Sequence, residues 1–152
     1  MIRVSRMADY GVVLLGQLAG APERLHSAGE IAGAAQLPLP TVSKLLKQFA
    51  QAGLVQSHRG AKGGYSLSRS AQEISVAEII GAVDGPISLA DCLDGHEGVC
   101  DLEGFCPMRG PWGRVSEAIR GALEGVSLAR MMSDRARTSG VWLFDRPTPP
   151  AA

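Results

Sequence analysis

Aromatic residues are scarce in this chain: two Trp, two Tyr and three Phe among 152 residues. With Ala and Gly plentiful instead, helices are expected to dominate. Cysteine is nearly absent as well. The three present all fall between Cys92 and Cys106, and an odd, clustered count is a poor disulfide framework. It suits a reducing compartment where thiols serve metal or redox chemistry, so a cytoplasmic protein is expected. No apolar run is long enough to span a bilayer. The stretch Gly11 to Leu18, preceded by Arg3 and Arg6 and followed by Ala19-Gly20-Ala21, imitates a signal peptide. Asp9, Tyr10 and Gln17 interrupt that pattern, and it reads better as an amphipathic helix. Also missing are a nucleophile elbow, a phosphate loop and paired catalytic carboxylates, so an enzyme is not expected. There is no internal repeat.

Net charge is zero, which at first excludes a uniformly basic nucleic-acid binder. The distribution reverses that. Residues 1–70 carry eight Lys or Arg against three acids, and residues 71–152 carry seven Arg against twelve acids. A basic reading surface joined to an acidic sensing segment would produce this asymmetry, although chance segregation of solvated charge would too.

Apolar periodicity places a first helix over Met7 to Ala19, ended by Gly20-Ala21-Pro22. Ser27-Ala28-Gly29-Glu30 is a capping box opening a short second helix. After the rigid Leu37-Pro38-Leu39-Pro40 turn, a third helix is expected from about Pro40 to Ala52. Val42, Leu45, Leu46 and Phe49 line its inner face, and Gly53 stops it. Leu54 to Ser57 and Tyr65 to Ser68 read as a hairpin with a basic, glycine-rich tip. Ser75-Val76-Ala77-Glu78 opens another short helix to about Val83. Asp84 to Met108 shows little periodicity and reads as a long loop. A final helix is expected from Trp112 or Gly113 to about Met132, with Val115, Ile119, Ala122 and Val126 forming a packing seam. Thr138 to Ala152 is a tail in which Val141 to Phe144 is an apolar patch able to dock.

Helix, turn, helix and basic hairpin in that order is the winged helix-turn-helix arrangement. The outer face of the third helix offers Thr41, Ser43, Lys44, Lys47 and Gln48. Their hydroxyl, amide and ammonium groups suit phosphates and base edges of double-stranded DNA. Arg59 and Lys62 flank glycines that let the wing approach a backbone. The plainer reading is a helix hairpin with a solvated polar face. The expected fold is mainly α with a small β-hairpin: a winged domain over residues 1–83, a cysteine loop over 84–111, a long dimerisation helix over 112–137 and a tail over 138–152. One winged domain covers only a half-site, so a homodimer joined through Val115, Ile119, Ala122 and Val126 is expected.

The thiols follow the pattern Cys92-x7-Cys100-x5-Cys106. This is not the paired Cys-x2-Cys spacing of zinc ribbons. Thiolates are soft ligands for iron–sulfur clusters, Zn or Cu(I), and clusters tolerate wide spacing. Six acids and no Lys or Arg lie between Asp84 and Met108. Such a surround works against free thiolate nucleophiles, whereas a bound iron supplies the compensating positive charge. Three thiols leave a fourth position open to His96, Glu97, Asp101 or, through the fold or a partner subunit, Asp9.

At this point the residues show a resemblance. Arg3-Val4-Ser5-Arg6-Met7-Ala8-Asp9-Tyr10-Gly11, Pro40-Thr41-Val42-Ser43-Lys44, Arg59-Gly60-Ala61-Lys62-Gly63-Gly64-Tyr65 and the three cysteines with Arg109 and Trp112 resemble the IscR/NsrR (Rrf-two) family of bacterial iron–sulfur transcription regulators. Cys100-Asp101-Leu102-Glu103 and Val126-Ser127-Leu128-Ala129 resemble the branch that regulates the SUF assembly system. The resemblance implies a homodimeric regulator, expected to be a repressor, with a 2Fe–2S or 4Fe–4S cluster in each subunit held by Cys92, Cys100 and Cys106. It also implies a SUF iron–sulfur assembly operon as the target. The first cysteine gap is longer than in well-known relatives, and Arg109 stands where IscR-like members carry a ligating histidine. NsrR-like members use an aspartate at the position of Asp9, which becomes the first candidate for the fourth ligand. Two rivals keep the same residues in other roles: a zinc- or thiol-switch regulator, and an electron-transfer protein.

Overall fold

The computed structural model describes residues 3–93 and 105–139. Cys100, His96, Glu97, Asp101 and the Val141 to Phe144 patch lie outside the described residues. The elements in chain order are α1 (Arg6–Gly20), α2 (Ala28–Ala35), α3 (Leu39–Gln51), β1 (Val55–His58), β2 (Gly64–Leu67), α4 (Val76–Asp84), a single 3-10 turn (Asp91–Leu93), α5 (Arg109–Glu124) and α6 (Leu128–Ser139).

Local chemistry accounts for most boundaries. Ser5 caps α1 by accepting from the Ala8 amide at 3.0 Å. Both expected capping boxes form. The Ser27 and Ser75 hydroxyls each accept from an N3 amide, and Glu30 and Glu78 each accept from the cap amide at 2.8 Å. Proline within the first turn starts α3 without losing a needed amide. Val42, Leu45, Leu46 and Phe49 of α3 are fully buried against Leu14, Leu15 and Leu18 of α1 and Ile31 of α2. This apolar knot holds the helix-turn-helix rigid. Truncating a side chain such as Phe49 costs about 3–5 kcal/mol in a core of this kind.

The hairpin pairs Val55 with Leu67 and His58 with Gly64, antiparallel. It has a third participant that the periodicity did not reveal. His26, before α2, bridges Tyr65 through two backbone bonds of 3.1 and 2.8 Å. The wing is thereby stitched to the loop that follows α1.

The chain beyond residue 109 departs from expectation. The single helix to Met132 is two helices, broken after Glu124. Gly125 is a poor helix residue, and Val126 leaves the helix to accept a 2.9 Å bond from the Val76 amide. Leu128 and Ala129 then donate to the carbonyls of Ile74 and Ala71 at 2.8 and 2.9 Å. Leu128 is wholly buried in the winged-domain core. Burying it outweighs one continuous helix. Ser127 caps the new helix, accepting from the Arg130 amide at 3.2 Å, and α6 packs back on α1.

Candidate nucleic-acid interface and thiol site

The outer face of α3 carries Ser43, Lys44 and Lys47 exposed, with Thr41 half-buried at its N-terminal end. Gln48 is different. It is half-buried, and its Nε2 donates to the Val83 carbonyl at 3.4 Å. It ties α3 to the last turn of α4 instead of presenting its amide outward. Gln51, on the same face one turn on, is exposed.

At the wing tip Gly60 has φ of +121°, a conformation that favours glycine. A Cβ on Gly63 would lie 2.2 Å from the His58 carbonyl oxygen, and one on Gly64 would lie 2.9 Å from that of His26. Those two glycines let the returning strand close on both neighbours, which leaves Arg59 and Lys62 exposed at the tip. Among the described residues, Arg24 pairs with Glu30, Arg69 with Glu78, and Arg120 with Glu117 and Glu124. Lys44, Lys47, Arg59 and Lys62 enter no ion pair there. Their charge stays available to displace phosphate counterions.

The capping carboxylates show how strongly the helix starts are held. Amide and hydroxyl bonds from Ser27 hold Glu30 below the ordinary glutamate value of 4.5. For Glu78, burial pushes upward, but bonds from the Ser75 amide and the Arg69 guanidinium outweigh it and the net shift is down.

The thiols flank the undescribed stretch. Upstream, the Leu89 amide donates to Ser116 Oγ at 3.0 Å, and Leu93 lies beside Gly113. Residues 89–93 therefore run along α5 toward its N-terminus and carry Cys92 with them. Downstream, the Arg109 amide donates to the Cys106 carbonyl at 3.4 Å as α5 begins. Cys92 and Cys106 are both half-buried and unbridged. Two thiols kept out of a disulfide beside one helix end are a donor set that fits a soft metal centre. No three metal-binding side chains converge among the described residues, and the third thiol, Cys100, lies outside them. Asp9 is exposed in the first turn of α1. The Ser5 hydroxyl that caps this helix also donates to Asp84 Oδ1 at 2.8 Å, which sets the Asp9 turn beside the end of α4.

Along α5, Val115 and Ala122 are exposed and Ile119 is half-buried. Val126, expected to continue the seam, is beyond the helix and engaged with α4. The apolar ridge extends the other way, through Trp112 and Met108, with Phe105 exposed just ahead. The same alternation of four and three, carried backward from Val115, marks both in the sequence.

Residues 4–134 match the Rrf2 family, described as an iron-dependent transcriptional regulator. The HTH-type transcriptional regulator IscR of Photorhabdus laumondii is 35% identical over 99 residues, covering 65% of this chain and 59% of that protein. The fold is similar to CymR, the global cysteine regulator of B. subtilis, with TM-score 0.68 and 30% identity over 88% of this chain and 98% of that one. It is also similar to IscR of T. potens, with TM-score 0.67 and 29% identity over 91% of each chain.

Proposed function

Because the chain belongs to the Rrf2 family of DNA-binding transcriptional regulators, we propose that it is a homodimeric repressor whose hold on an operator depends on an iron–sulfur cluster. The observation that carries this reading is the pair of unbridged, half-buried thiols, Cys92 and Cys106, meeting the N-terminal end of α5 from opposite sides of the undescribed stretch. Cys92, Cys100 and Cys106 would hold the cluster, with Asp9 as the fourth ligand. When bound, a cluster supplies a link between these thiolates that is sensitive to iron supply and oxidation. The chain's own residues do the rest. Fixing Cys92 holds residues 89–93 against α5. The Met108, Trp112, Val115, Ile119 and Ala122 ridge would pair with the same ridge of a second copy, as apolar stripes at this spacing do. Two winged domains then face successive half-sites, with Ser43, Lys44 and Lys47 toward the major groove and Arg59 and Lys62 along the backbone. The target is an operon that builds clusters by the SUF route, which closes a negative feedback loop.

A second reading rests on the likeness to the cysteine regulator CymR. In that case the thiols act without iron, as a redox switch or a zinc site. One experiment separates the two. Anaerobically purified protein is assayed for iron, sulfide, zinc and visible absorption, then titrated onto its own promoter before and after cluster loss. The proposal expects a coloured protein, colour lost in Cys92→Ala, Cys100→Ala and Cys106→Ala, and at least tenfold different affinity. Colourless protein with unchanged binding would overturn it.

A further inference from the structure

α3 begins on exposed hydrocarbon. Leu37 packs on the winged-domain core, but Leu39, the first residue of α3, is 49% exposed. Pro38 and Pro40 on either side are exposed too. One exposed leucine is ordinary, whereas three apolar residues in succession on a surface call for cover. Leu39 stands four residues before Ser43 and eight before Lys47, and all three are exposed. On a helix that spacing puts them in one stripe along the outer face of α3. We infer that Leu39 is a specificity-determining residue that reads the C5 methyl group of a thymine in the operator. This role rests on the reading of α3 as the major-groove helix, and deepens it.

The chemistry of this part of α3 favours a methyl group over the other groups in a groove. The opening residues of a recognition helix are the ones that meet base edges. Pro40 has no amide proton to give, and the Thr41 amide already donates to the Pro38 carbonyl at 3.0 Å. Among the described residues no side chain caps the helix here, and its first turn holds no acid. The backbone thus has little with which to grip a phosphate, and there is no carboxylate to accept from a cytosine amino group. What remains is the branched Leu39 side chain. The apolar group that a major groove offers to such a side chain is the thymine methyl. Bringing the two together removes hydrocarbon from water. Ser43 lies about 6 Å further along the helix axis. Its base and the thymine therefore fall within about two base pairs, at about 3.4 Å per step.

Deoxyuridine makes the test direct, since it pairs as thymidine does and lacks only the methyl group. The full-length protein is titrated by fluorescence anisotropy onto its own promoter, with each thymine in the protected region replaced singly by uracil. Wild-type protein should bind about fourfold more weakly when the thymine it reads is replaced, the loss expected for one buried methyl group. Leu39→Ala should bind the thymine and uracil duplexes equally, with its affinity for random DNA and its salt dependence unchanged. Because the side chain is exposed, the helical circular dichroism signal and the urea midpoint should stay as in wild type. A promoter in which no thymine is sensitive overturns the inference, as does a sensitive thymine whose effect persists in Leu39→Ala. Ser43→Ala, measured in parallel, separates this role from the reading beneath it. If that variant loses operator affinity selectively while no thymine is sensitive, α3 still reads the groove and Leu39 does not. If it weakens operator and random DNA alike while no thymine is sensitive, α3 is not the reading helix and both fall.

Discussion

Gln48 of α3 donates its side-chain amide to the carbonyl oxygen of Val83, 3.4 Å away in the last turn of α4. One residue on, Asp84 accepts from Ser5 at the cap of α1 at 2.8 Å. The end of α4 is thus tied to α3 and to the start of α1, and the chain leaves it directly for the segment carrying Cys92. A change at the thiols has a short physical route to α3 through this turn.

That route is testable. Gln48→Ala removes one long hydrogen bond, worth about 0.5–1.5 kcal/mol at most, so a urea melt should fall by roughly 1 kcal/mol. The larger effect should be on regulation. If the proposed cluster sets operator affinity, the ratio of affinities with and without it should shrink, because that coupling would be a free energy carried partly by this contact. An unchanged ratio with lowered stability would leave Gln48 a purely structural tie.

The wing offers a sharper geometric test. Gly63→Ala would push a methyl group to 2.2 Å from the His58 carbonyl oxygen, a backbone atom that cannot swing aside. Overpacking of this kind costs about 1–3 kcal/mol. Here the strain is confined to an exposed tip. Operator affinity should drop roughly tenfold, a change of about 1.4 kcal/mol, while the helical circular dichroism signal stays. Equal affinity by fluorescence anisotropy would mean that the wing tip does not touch DNA.

Much of this was legible before any coordinates. Serine capping boxes, the proline-led α3 and the glycine-rich hairpin are local devices, readable because their chemistry spans three or four residues. The break between α5 and α6 was not legible. It depends on Leu128 finding a vacant place in a core assembled from α1, α3 and α4, and periodicity in one segment carries no record of that. His26 pairing with Tyr65 was hidden for the same reason, since an isolated bridge leaves no alternation behind. Gln48 looked like a DNA-facing amide on the helical wheel. Only the position of α4 shows where its amide is spent. The cysteine spacing was readable as a candidate ligand set, with Asp9 one of several open fourth positions that the resemblance then put first.

Acid should weaken the fold through the capping boxes. Glu30 is held below 4.5 by its bonds to Ser27, and Glu78 likewise despite its burial. A carboxylate whose value is lower in the folded state contributes stability above its unfolded value. That contribution is lost as pH falls through the folded value. The contribution of these two carboxylates should therefore be constant above about pH 5 and decline below 4.5. Ser75→Ala should cost about 1 kcal/mol at neutral pH and make the acid decline shallower. An acid limb identical to wild type would show that Glu78 draws nothing from its cap.

Charge on the reading face sets the last test. Lys44 and Arg59 are exposed and unpaired among the described residues, one on α3 and the other in the turn of the wing. If each meets a phosphate, each alanine variant should lower affinity about equally for operator and random DNA. It should also flatten the slope of log affinity against log salt by about one. Ser43→Ala should behave differently, with little change in salt slope and a loss concentrated on the operator, because a hydroxyl facing a base edge carries sequence information but no charge. The comparison is internal to one face of one protein. If Ser43→Ala and Lys44→Ala lower operator and random binding alike, α3 lies along the backbone, and the base-reading role passes to another element of the winged domain.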